Sequence, residues 1–160
     1  MSSWLFPLIL AGLAALGVAF LGGTITDLGP WYQGLRQPDW APPSQLYAIA
    51  WTVIFALAAL SAVTAWRLAP TNRDAQTVIG LFALNGFLNI LWSLIFFRIQ
   101  RPDWALIELV ALWLSIVILI VVCGRHSRIS ALLLLPYLAW VSFAGVLNWA
   151  IVSLNGPFGG

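Results

Sequence analysis

The feature that most restricts this chain is its division into five apolar runs, each close to the roughly 20 residues a helix needs to cross a bilayer. They lie at about residues 4–25, 45–66, 75–97, 104–124 and 129–154. None alternates with period two, and each is too long for a membrane strand. The expectation is therefore an all-α integral membrane protein, a five-transmembrane-helix bundle forming one domain. Composition agrees, since 62% of residues are hydrophobic and 8% charged, outside the range of ordinary soluble domains. The later connections, "RLAPTNRDAQ", "RIQRPD" and "GRHSRIS", are short enough to make sequential spans antiparallel neighbours. An odd span count argues against an inverted-repeat transporter within one chain. The first run lacks a basic leader and exceeds a signal-peptide core, so it is expected to remain as a span.

All seven cations are arginines, scattered between apolar segments, so no basic stripe for nucleic acid exists. Arg67, Arg73, Arg125 and Arg128 would share the side of the N-terminus, and Arg36, Arg98 and Arg101 would lie opposite. Four against three leans toward a cytoplasmic N-terminus. Cys123 is the single cysteine, which excludes an intrachain disulfide and a cysteine metal site. His126 has no carboxylate or cysteine beside it, and no phosphate loop, Ser/His/Asp set or HxxxH pair occurs. No metal site, no obligatory cofactor and no conventional enzyme are expected. Met1, Cys123 and His126 fall at helix ends or in loops, so axial haem ligation inside the bundle is not expected.

Polar groups inside spans each require a partner or a role. Asn85 and Asn89 share a helix face with Trp92 and Phe96; Tyr47, Trp51 and Phe55 form a second stripe; Tyr137, Trp140, Ala144 and Asn148 form a third. Convergence of these faces would make a cavity with flat aromatic walls and a few amides, suited to a large planar ligand. Helix–helix packing with asparagine as interhelical glue is the alternative. Glu108, the one carboxylate well inside a span, is expected to pair with Arg98 or Arg101 rather than to act in function. Ala11, Ala15, Ala19 and Gly23, with Gly12, Gly17 and Gly22 nearby, form a small-residue stripe. It fits either close packing in the bundle or a homodimer contact.

The connection between the first two spans is "WYQGLRQPDWAPP", preceded by Pro30. Pro30 suits the first turn of a short helix, and Pro38, Pro42 and Pro43 stiffen the return, so residues 27–44 read as a rigid aromatic lid. This segment resembles the signature of the translocator protein family, also called tryptophan-rich sensory proteins, the TspO/MBR family or peripheral-type benzodiazepine receptors. Further similar segments follow in order: "AWT" at 50–52, "LNILWSLIFF" at 88–97, "WALIEL" at 104–109 and "PYLAWVSFAGVLN" at 136–148.

The resemblance implies a bacterial membrane protein, commonly a homodimer. It implies a pocket beneath the first loop, between helices two, three and five, that binds tetrapyrroles such as protoporphyrin IX and haem. Transport, sequestration or sensing of porphyrin would follow, or light-dependent oxidative degradation of it, or a role as a regulatory membrane partner. By motif the ligand-binding residues would be Trp31, Trp40, Trp51, Phe55, Asn89, Trp92, Trp140, Ala144, Leu147 and Asn148. Arg36 would meet a propionate, and Trp31, Trp40, Trp51 and Trp140 would take part in photo-oxidation. The chain departs from the family at Asn85, where relatives often carry Gln. It also lacks the Tyr-basic pair of the cholesterol motif at the end of span five, which leaves sterol binding without its usual determinants. Leu28, Tyr32 and Arg36 fit only the loose loop pattern.

Overall fold

Each apolar run forms one helix in the computed structural model, which describes residues 4–159. The spanning helices are α1 (Leu5–Ile25), α3 (Ser44–Leu68), α4 (Asn72–Ser93), α5 (Pro102–His126) and α6 (Arg128–Asn155); a short α2 (Pro30–Gly34) lies in the first connection. α4 continues through a π-helical turn, Leu94–Arg98, and all five segments are long and apolar enough to cross a membrane. The protein is an all-α integral membrane protein, as its sequence predicts.

Local chemistry sets the helix ends. Pro30 and Pro102 stand in the first turns of α2 and α5, where a missing N–H removes no helical bond. Thr71 caps α4: its Oγ1 accepts from the Asp74 N–H at 3.1 Å and donates to the Asp74 carboxylate at 2.6 Å. Ser127 alone separates α5 from α6 and caps the latter by accepting the Ser130 N–H at 3.3 Å. So short a break leaves α6 little choice but to fold back along α5.

The interior is built chiefly by α3 to α6. Ile54, Val78, Leu112, Ile116, Leu119, Leu134 and Val141 form one buried cluster, and Phe96, Phe97, Ala105, Leu147 and Ile151 form a second toward the first connection. Ser61 and Ser130 join α3 to α6 reciprocally, each hydroxyl donating to the other's carbonyl at 2.8 and 2.7 Å. In hydrocarbon such pairs satisfy hydroxyls that have no water to turn to. Outward-facing side chains are apolar: Leu13, Phe20 and Ile107 are 60%, 71% and 73% exposed. On a soluble protein that surface would drive aggregation, whereas acyl chains cover it in a bilayer.

α1 is the exception, because none of its described residues is buried. α1 packs chiefly along α3, yet its glycines press on no neighbour: a Cβ added at Gly12, Gly17, Gly22 or Gly23 would meet nothing within 4 Å. Against α4 there is less room, and a Cβ at Gly86 would lie 3.2 Å from Val18.

Candidate functional site

The open space beside α1 is a chamber of about 720 Å³, within the range of small-molecule sites. Its walls come from α1, α3, α4 with the π-helical turn, and α6, and the loop residues Leu28 and Tyr32 close it on one side. Gly12, Ala15, Ala19, Gly22 and Gly23 line it. Their small side chains therefore create volume, a use of the stripe that the sequence reading did not foresee.

Of the residues named from sequence, Trp51, Phe55, Asn89, Trp92, Trp140, Ala144, Leu147 and Asn148 all line the chamber. The aromatic rings brace one another. Trp51 stacks on Phe55 at 5.4 Å and 25°, and meets Trp140 edge-on at 6.4 Å and 88°. Trp92 lies 5.1 Å from Phe96 at 30°. Such pairs are worth about 0.5–1.5 kcal/mol beyond the area they bury, so the walls are preformed rather than assembled around a ligand.

Trp31, Trp40 and Arg36 are not among the lining residues. Trp31 sits edge-on against Phe96 at 6.1 Å, and Trp40 against Phe143 at 5.9 Å, while Phe143 in turn touches Trp140 at 5.4 Å. Trp31 thus supports a lining ring, and Trp40 reaches one only through Phe143. α2 is one turn and a half long, and its rotation brings Tyr32 to the chamber instead. Burial pushes the Tyr32 hydroxyl above its ordinary pKa, so it stays neutral at the loop end. Arg36 is exposed, and its backbone is tied to Asn155.

The amides divide their duties. Asn85 is interhelical glue: Nδ2 donates to Ser115 Oγ at 2.9 Å, and Oδ1 accepts from the Tyr137 hydroxyl at 2.9 Å. Asn89 donates to that same hydroxyl at 3.0 Å and also lines the chamber. The buried Asn148 amide donates to the Pro102 carbonyl at 2.9 Å and accepts from the Trp92 Nε1–H at 3.2 Å, which fixes the Trp92 ring. Trp140 Nε1 is enclosed and, among the described residues, has no hydrogen-bond partner. Among the described residues, no arginine, carboxylate or histidine lines the chamber.

Glu108 does not pair as expected. Arg101 engages Asp103 through Nε at 2.8 Å, Arg98 donates to the Thr24 carbonyl at 2.8 Å, and both Glu108 carboxyl oxygens are enclosed without a hydrogen-bond partner. Sequence gave no means of seeing that both arginines were already committed. Tyr47, Phe96, Phe97 and the whole α1 wall also line the chamber. The stripes on spans two and three already pointed to Tyr47 and Phe96, but nothing periodic marks α1 as a wall.

Residues 8–154 match the sequence profile of the TspO/MBR family. The chain is 37% identical to tryptophan-rich protein TspO of Archaeoglobus fulgidus over 94% of its length and 98% of that protein's. It is 39% identical to tryptophan-rich protein TspO of Chlorobaculum tepidum, covering 88% and 90% of the two chains. It is 33% identical to the translocator protein of Sus scrofa, covering 76% and 72%.

Proposed function

The chain belongs to the TspO/MBR family of membrane proteins, and from that premise we propose that its chamber binds tetrapyrroles, protoporphyrin IX or haem, for transport, sequestration or sensing. One observation carries the reading. The chamber has about 720 Å³ of volume, stacked and edge-on tryptophans as walls, and no charged lining residue. A planar apolar macrocycle gains ring-face contact on Trp51, Trp92 and Trp140, and loses little because the walls are preformed. Tyr32, Tyr47 and Ser44, which line the chamber, supply the few polar contacts that orient it. No axial ligand is required for this mode of holding. A bacterial cell membrane, a homodimer and binding without a sterol requirement belong to the same reading.

Saturable quenching of tryptophan fluorescence by protoporphyrin IX in nanodiscs tests it. Trp51→Ala and Trp140→Ala should each weaken the titration by about tenfold, the equivalent of 1.4 kcal/mol per lost stacking surface. Absence of saturable quenching in the unaltered protein would sink the proposal.

A second reading, light-dependent oxidation of bound porphyrin, is favoured by the edge-on contact of Trp51 and Trp140 inside the chamber. Those two indoles are placed to confine or reduce a species generated by the excited macrocycle with dioxygen, whereas Trp31 and Trp40 stand behind the walls. An absorbance time course in light and in darkness separates binding from breakdown. Equal bleaching with wild type and Trp51→Ala would count against a role for the protein.

A further inference from the structure

The polar groups of the chamber are not evenly spread. Thr26, Tyr32, Ser44 and Tyr47 lie at the loop end, and Gly12, Leu16, Phe55 and Ala59 make the far end apolar; of the polar residues along the walls, Thr52, Asn89 and Asn148 are committed to Ala48, to Tyr137, and to Pro102 and Trp92. An occupant with one polar edge therefore points that edge toward the loop, because burying it deep would leave it unpartnered. Three arginines stand at this end of the bundle, and they differ in what they hold.

Arg101 is saturated: its guanidinium grips the Asp103 carboxylate and lies 4.1 Å over the Trp104 ring. Neither Arg36 nor Arg98 is itself a lining residue, but Arg36 belongs to a stretch, residues 33–43, of which no residue lines the chamber. Arg98 directly follows the lining residues Phe96 and Phe97 at the end of the π-helical turn. Its NH2 donates at 2.8 Å to the Thr24 carbonyl, on the last turn of α1 between the lining residues Gly23 and Thr26. That carbonyl lies in the last turn of α1, among the acceptors that a helix end leaves without an intrahelical partner, and the bond is exposed.

We propose that Arg98 receives the carboxylate of an amphiphilic chamber ligand and, by exchanging Thr24 for it, unties the end of α1. The inference rests on the chamber reading above and names the ligand class more narrowly: an apolar body with an anionic edge. A guanidinium binds a carboxylate through two parallel charge-assisted bonds, against one bond to a neutral carbonyl. The exchange replaces one neutral bond by two charge-assisted ones, and the Thr24 oxygen released at the exposed end is taken up by water. Because α1 buries no described residue, losing this tie loosens its last turn without opening the core. Ligand capture and movement of the α1 wall are then one event.

The test compares protoporphyrin IX with its dimethyl ester, and a long-chain fatty acid with its methyl ester, in nanodiscs of zwitterionic lipid. For wild type the acid should bind about tenfold more tightly than its ester. Arg98→Gln should bring the acid down to the ester's affinity and leave the ester unchanged, which also shows that the variant is folded. Arg98→Lys should keep part of the preference, and Arg36→Gln all of it. In wild type, amide hydrogen exchange at residues 23–26 should speed up with acid and not with ester, a readout that needs no variant. Equal binding of acid and ester, loss of preference in Arg36→Gln rather than Arg98→Gln, or no change in exchange overturns the proposal while leaving the chamber reading intact. If neither acid nor ester binds wild type, the chamber reading fails and this inference with it. Preference shown only in the porphyrin pair, or only in the fatty-acid pair, identifies the apolar body.

Discussion

The side chain of Asn155 holds both backbone polar groups of Arg36, 119 positions away: its Oδ1 accepts the Arg36 N–H at 2.7 Å, and its Nδ2 donates to the Arg36 carbonyl at 2.9 Å. One amide at the end of α6 thus pins the middle of the first connection, as a neighbouring strand would. Tyr32 and Leu28, which close the chamber, lie on the same connection.

Asn155→Ala removes both bonds and exposes the Arg36 groups to water. The loss is about 1–2 kcal/mol, local to the lid rather than to the bundle. Amide exchange across residues 27–43 should accelerate about tenfold, and a bound porphyrin should dissociate faster. The helical melting transition should stay in place.

The α1 stripe predicts a contrast between glycines. Ala19→Leu or Gly22→Leu fills chamber volume, where nothing opposes the new side chain at Gly22, so fluorescence titration should show weakened ligand binding with stability retained. At Gly145 a Cβ would come within 3.1 Å of Leu109 Cδ2, so Gly145→Ala obliges that side chain to give by a few tenths of an ångström. The cost is offset by alanine's better helix propensity, so thermal melting should register a change of less than about 1 kcal/mol.

Tyr137 is fully enclosed, and its hydroxyl both donates to Asn85 and accepts from Asn89. Tyr137→Phe leaves two buried amides short of a partner within hydrocarbon. Interhelical bonds in membranes average about 0.6 kcal/mol each, so destabilisation of about 1–2 kcal/mol is expected. Asn89 would also turn more freely into the chamber, and binding should change with it. Unfolding in graded denaturing detergent measures the first effect and fluorescence titration the second.

Glu108 gives the opposite expectation. With Arg98 and Arg101 committed elsewhere, no cation pairs with its enclosed carboxyl oxygens. Glu108→Gln keeps shape and hydrogen-bonding capacity, so thermal stability should be equal or higher. A carboxylate in a buried ion pair would instead lose about 3–5 kcal/mol on the same change. Thermal melting distinguishes these outcomes, and a large loss would show that a cation reaches Glu108 after all.

Much of the site was legible at helical spacing. Trp51 and Phe55, Asn89 and Trp92, and Trp140 and Ala144 stand three or four positions apart, so each pair shares a face whatever surrounds the helix. Trp31 and Trp40 fall outside the lining, and they sit in a connection with no long period. On the five-residue α2, a rotation of one position exchanges Trp31 for Tyr32 at the chamber. The small residues of α1 were recognised as a face, but a face with no bulk reads the same whether a helix or a cavity lies against it.

Sequence alone determined the number, length and order of the spans, the antiparallel path through short connections, and the aromatic faces. These follow from two local demands: a bilayer requires about 20 apolar residues per crossing, and a helix repeats every 3.6 residues. Tertiary structure decided what each face meets. It set α1 apart to leave a chamber, gave Arg98 to Thr24 and Arg101 to Asp103, and left Glu108 without either. Those outcomes depend on how helices far apart in the chain rotate against one another, and no local pattern carries that information.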